Sequence, residues 1–107
     1  MRLGDLTAIV CDRLGAWNLV PLIASPYYRS YRTGCKKTFE RYRRILKEYS
    51  PTFDQELDWT GFRRLARSLK QIDPEKMKTV RIEGGVIYDG HHRLAILLAL
   101  HGPNYEL

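Results

Sequence analysis

The sequence predicts an α+β fold in which helices pack on a small sheet, and three observations carry that expectation. Two short apolar runs, Thr79-Val80-Arg81-Ile82 and Val86-Ile87-Tyr88, flank Glu83-Gly84-Gly85, the composition of a tight hairpin. The second run leads through Asp89-Gly90 towards Leu94-Ala95-Ile96-Leu97-Leu98-Ala99-Leu100, so a strand, a turn and an apolar helix follow one another without a linker. Phe39, Tyr42, Ile45, Leu46 and Tyr49, and again Phe62, Leu65, Ala66 and Leu69, recur at the spacing of one helix face.

Taken in order, Leu3, Leu6, Val10, Leu14 and Trp17 step by three or four residues and predict an N-terminal helix that Gly15 ends. The run 19–24 predicts a short buried strand, with Pro21 placing it at an edge or a strand start. Ser25-Pro26 predicts a break into a loop carrying Tyr27, Tyr28, Arg29, Tyr31 and Arg32. A helix over 38–50 stops at Ser50-Pro51, because proline disfavours helical geometry in the residue before it. The acidic stretch 52–58 reads as irregular, and the helix after it takes Asp58 or Thr60 as its cap. Asp73-Pro74 marks a turn. The last helix runs from about His91 to His101 and ends at Gly102-Pro103, after which Tyr105-Glu106-Leu107 is expected as a short strand. Phe62, Leu65, Leu69, Leu94, Leu97 and Leu98 are the expected core, each contributing about 1.5–3 kcal/mol on burial before entropy losses.

A chain of 107 residues has room for one core, so residues 1–107 read as a single domain. Its longest apolar run, Leu94 to Leu100, falls far short of the ~20 residues of a membrane span, and no membrane partner is expected. Asp5, Asp12 and Arg13 interrupt the N-terminal apolar residues and argue against a signal peptide. Cys11 and Cys35 have neither CxxC nor metal-ligand spacing, which fits reduced thiols and a cytoplasmic protein.

The net charge of +6 is unevenly spread. Arg29, Arg32, Lys36, Lys37, Arg41, Arg43, Arg44 and Lys47 form one cluster, and Arg63, Arg64, Arg67 and Lys70 a second. Such clusters are ordinarily solvated helix faces, but they also concentrate anions such as nucleotides or nucleic acid.

The densest chemistry is Asp89-Gly90-His91-His92-Arg93. A helix opening there has N–H groups without intrahelical partners and a partial positive charge, a natural place for phosphate. Asp89 is expected to cap the helix, Gly90 to let an anion approach, and Arg93 to present a planar donor fork. A histidine beside them donates when charged, or serves as general acid or base. His91 and His92 are adjacent, so they point about 100° apart and would not share an ion; no protein-bound metal is expected.

The stretch 64–102 resembles the core of the ParB/sulfiredoxin-like domain: Leu65-Ala66-Arg67-Ser68-Leu69, then "GGVIYDGHHR", then "LAILLAL" ending in glycine. The earlier "VPLIASPYYRSYR" is similar to the strand-then-arginine segment that opens such domains. The resemblance implies a small mixed sheet packed by helices, with residues 36–58 as an insertion carrying an extra helix. In that superfamily, partition proteins hold CTP with Gly-Glu-Arg-Arg, sulfiredoxins use Gly-Cys-His-Arg with ATP, and free-serine kinases carry turns like this one. His91 stands where sulfiredoxins have their cysteine, so sulfinic-acid reduction is not expected.

The resemblance therefore implies an ATP or CTP site with magnesium carried by the nucleotide, and phosphoryl transfer to a small hydroxyl or NTP hydrolysis. On that basis Asp89, His91 and His92 are the candidate catalytic residues, with Asp89 as the magnesium contact. Gly90, His91, His92, Arg93, Arg29 and Arg32 are the candidate phosphate ligands. The kinases also use an acid near the opening segment, where this chain has none; a base would come from Glu56, Asp58 or a histidine, or be absent. Two other readings stand beside this one. One is a non-enzymatic nucleic-acid binder using the Arg/Lys/Tyr-rich region. The other is a fold member that serves only as an interaction module.

Overall fold

The computed structural model describes residues 1–69 and 77–107. The Asp73-Pro74 turn and Lys70 lie outside the described residues.

The N-terminal third departs most from expectation. After a 3-10 turn at Leu3–Asp5, β1 (Thr7–Cys11) and β2 (Trp17–Pro21) form an antiparallel hairpin where helical spacing predicted a helix. The physical reason lies at Asp12. Its carboxylate accepts from the Leu14 and Ala16 amides at 2.9 and 3.0 Å and from the Asn18 amide at 3.2 Å. That side chain closes the turn, and Gly15 supplies the φ of 86° that the turn needs. The β-branched Thr7, Ile9 and Val10 also favour a strand. Of the residues that suggested a helix face, Leu3 and Leu6 are buried whereas Leu14 and Trp17 are exposed. Pro21 lies in an edge strand, where its missing N–H costs no sheet bond.

Ser25-Pro26 starts a helix and not a loop. α1 spans Pro26–Thr33, with the Ser25 hydroxyl accepting from the Tyr28 amide and Pro26 at the first helical position. Gly34, at φ 67°, closes it. Then come α2 (Lys36–Tyr49) and α3 (Trp59–Ser68), the latter capped by Asp58, which accepts from the Gly61 amide at 2.7 Å. The hairpin of β3 (Arg81–Glu83) and β4 (Val86–Asp89) turns on Gly84 and Gly85, both at positive φ as a two-residue turn demands. The final helix, α4, spans His91–His101 as expected. Tyr105–Leu107 makes a single bridge, Arg2 with Glu106, and no strand.

The four strands form one mixed sheet in the order β2-β1-β4-β3, with β1 and β4 parallel and the two outer pairs antiparallel. The fold is α+β, four helices on a four-stranded mixed sheet among the described residues. Leu94 through Leu98 are all buried, so the middle of α4 is enclosed on every side, packed against α1 and α3. Phe62, Leu69, Leu94, Leu97 and Leu98 are core residues as expected, while Leu65 is only half-buried. Residues 36–58 are part of that core, since Phe39, Tyr42 and Leu46 are buried in it. Cys11 and Cys35 are free thiols. Among the described residues no helix is long and apolar enough to cross a membrane.

Candidate functional site

The site is built where β4 hands over to α4. Gly90 is the N-cap residue of α4 at φ 95°. A Cβ there would lie 2.7 Å from Val80 Cγ2, so both dihedral and space require glycine. Asp89 does not cap the helix: no side chain does, and the carboxylate is exposed at the strand end. The first intrahelical bond runs from the Leu94 amide to the Gly90 carbonyl. The amides of His91, His92 and Arg93 therefore have no acceptor within the helix.

The two imidazoles differ from the cationic pair that an anion site suggested. His91 Nε2 accepts from the Ile9 amide at 3.3 Å, tying β1 to the start of α4. An accepting Nε2 places the proton on Nδ1. Burial pushes the pKa of His91 down, against a smaller opposing effect of Asp89. His92 stacks on Tyr27, centroids 4.1 Å apart, with Phe62 edge-on at 5.7 Å. Burial, followed by the neighbouring His91 and Arg93 charges, lowers its pKa to about 3. His92 Nε2 lies 3.3 Å from Glu56 Oε2 without an aligned hydrogen bond. Burial favours the neutral form of both rings.

A carboxylate, Glu56, lies beside His92. It reaches the turn from the connection between α2 and α3, and accepts from the Tyr27 hydroxyl at 2.5 Å. Burial raises its pKa, partly offset by the Tyr27 hydrogen bond and by Arg43. Arg43 is itself anchored to the Leu57 carbonyl at 3.1 Å and over the Phe53 ring. Of the three alternatives for a base, Asp58 is occupied as the α3 cap, whereas Glu56 lies beside His92.

Two cavities flank Gly90 and share Gln55, Asp89, Gly90 and His92 in their walls. One, of about 380 Å³, also has Glu56, His91 and Tyr42 in its wall, with Trp17 and Tyr88 at its exposed rim. The other, of about 540 Å³, has Arg93 and Arg64. Arg93 is half-buried, and its Nε is fully buried with no hydrogen-bond partner. Such a donor is costly unless something accepts from it.

Asp89, Gly90, His91, His92 and Arg93 are thus together, while Arg29 and Arg32 are not with them. Arg29 is exposed on α1 and lines neither cavity at the turn. Arg32 lines a separate groove beside Ala99 and Leu100, at the other end of α4. The reason is that α1 is a helix and not a loop free to fold over the turn. Tyr27 was missed as a site residue because nothing local distinguishes a helical tyrosine that reaches across to Glu56. Among the described residues no three His, Cys, Asp or Glu side chains are grouped to hold a metal ion.

No family model, no curated protein and no solved structure matches this chain.

Proposed function

We propose that the Gly90 turn binds the phosphates of a nucleoside triphosphate, ATP or CTP, and supports transfer of the terminal phosphoryl group to a small hydroxyl compound. The observation that carries this reading is the buried, unpartnered Arg93 Nε beside the open first turn of α4. A guanidinium and backbone amides suit phosphate oxygens. On this reading the domain is a ParB/sulfiredoxin-like one of the kinase-like branch, and the strand-turn-helix order and mixed sheet agree with that.

The two cavities divide the work. Arg93 and Arg64 hold phosphate oxygens on one side of Gly90. On the other side Glu56, its basicity raised by burial, takes the proton of the acceptor hydroxyl. The acceptor oxygen then bonds to the terminal phosphorus, the bridging P–O bond breaks, and the nucleoside diphosphate leaves with that electron pair. Magnesium would arrive with the nucleotide and neutralise phosphate charge, and Asp89, exposed at the strand end, is the carboxylate near enough to meet it. The Tyr27 hydroxyl keeps Glu56 in place, and His92 stacks on the Tyr27 ring. Catalysis of this kind rests on positioning and electrostatics.

Isothermal titration with ATP, CTP and ADP in the presence of magnesium tests the reading. Binding is expected for at least one of them, lost in Arg93→Ala and kept in Glu56→Gln. No heat from any of the three would remove the proposal.

A further inference from the structure

The groove at the far end of α4 has no part in the proposed chemistry, and its chemistry differs from that of the turn. We infer that it is a binding site for the phosphodiester backbone of a single-stranded nucleic acid. Arg32 from α1 meets Arg63 and Arg67 from α3 around a cavity of about 470 Å³. The first arginine belongs to the early basic cluster and the other two to the late one, so the fold joins clusters that are separate in the sequence. Arg63 and Arg67 are four residues apart and share a face of α3, whereas Arg64 turns to the cavity at Gly90.

All three guanidinium groups are exposed, and none is paired with a carboxylate among the described residues. Three like charges around one hollow repel one another, and an anion relieves that repulsion. Tyr31 and the exposed Leu100 supply apolar surface on which a base can lie. The three arginines stand on two helices, Arg32 on α1 and Arg63 and Arg67 on α3, so repeating phosphates can meet both sides of the hollow where a single phosphate meets one.

The test is fluorescence anisotropy of the whole chain with labelled oligo-dT and oligo-U of about 16 nucleotides, the upper range for one small domain. Binding of both is expected at low salt, with affinity falling as log[salt] rises at a slope of about −2, three contacts at about 0.7 each. Binding of oligo-U alone would assign the site to RNA through its 2′-hydroxyls. Arg63→Glu/Arg67→Glu and, on a different helix, Arg32→Glu should each weaken binding at least tenfold while leaving the nucleotide titration unchanged. Arg93→Ala should leave oligonucleotide binding unchanged, so failure here and failure at the turn read out separately. The inference is overturned if neither oligonucleotide binds, if the charge reversals change nothing, or if polyglutamate of equal charge competes as well as oligo-dT.

Discussion

The two ends of α4 reverse what their local sequences suggest. The N-terminal end reads Asp-Gly-His-His-Arg, dense in groups that carry charge, yet both imidazoles are held neutral and Arg93 is its one cation within α4. The C-terminal end reads Leu-Ala-Leu-His, almost wholly apolar, yet three arginines from other helices gather beside it. Charge written next to a helix is neutralised by burial, and charge written elsewhere is delivered by packing. A run of titratable residues therefore does not by itself say which of them are ionic; burial decides that.

The largest effect is expected at the turn itself. Gly90→Ala forces a side chain into a φ of 95° and against Val80, and should cost about 3 kcal/mol in urea denaturation. A cost under about 1 kcal/mol would mean the turn tolerates a Cβ and is less tight than described. Next comes His91→Phe, which removes the acceptor for the part-buried Ile9 amide and should cost about 2 kcal/mol. His92→Phe keeps an aromatic ring on Tyr27 and should cost less than about 1.5 kcal/mol. Equal losses from the two would break the distinction between a hydrogen-bonding ring and a packing ring.

Acid sharpens the contrast further. The unfolded chain takes up a proton on each imidazole near 6.5, whereas native His92 does so near 3. Between those values the unfolded state binds more protons, so stability falls as pH drops, by at most about 1.4 kcal/mol per pH unit for one ring. Glu56 acts with the opposite sign. Its native pKa is raised above 4.5, so its contribution is present at low pH and lost as pH rises through the raised value. Comparing His92→Phe with the parent chain isolates the imidazole, and the variant should show the shallower acid loss. The smallest effect belongs to the far end, where Leu100→Ala removes a 40% exposed side chain and should change stability by less than about 0.5 kcal/mol.

Most of the fold was legible where local chemistry and tertiary packing agree. α2, α3 and α4 follow their apolar spacing, Asp58 caps as expected, and the two glycines close the second hairpin. The first hairpin was not legible, because Leu3, Leu6, Val10, Leu14 and Trp17 imitate a helix face while the Asp12 side chain fixes a turn. Ser25-Pro26 carried a helix-start signal as well as a break signal, and the start won because Ser25 caps the Tyr28 amide. At the site, residues 89–93 were legible as a group. The Tyr27–Glu56–His92 cluster was not, since its members are 29 and 36 residues apart and meet only where α1, α4 and the connection between α2 and α3 come together. Glu56 could be named only beside Asp58 and the histidines as a candidate base. Arg32 was expected at the turn but lies at the other end of α4, since its helix was not foreseen.

The central claim is that the Gly90 turn grips phosphate through Arg93 and the amides that open α4. An amide NMR titration with magnesium-ATP and magnesium-CTP addresses it directly. The claim requires saturable shifts at His91, His92 and Arg93 with one of these nucleotides, and none at Ala99 and Leu100. Shifts confined to the arginine groove, or none at the turn, would contradict it.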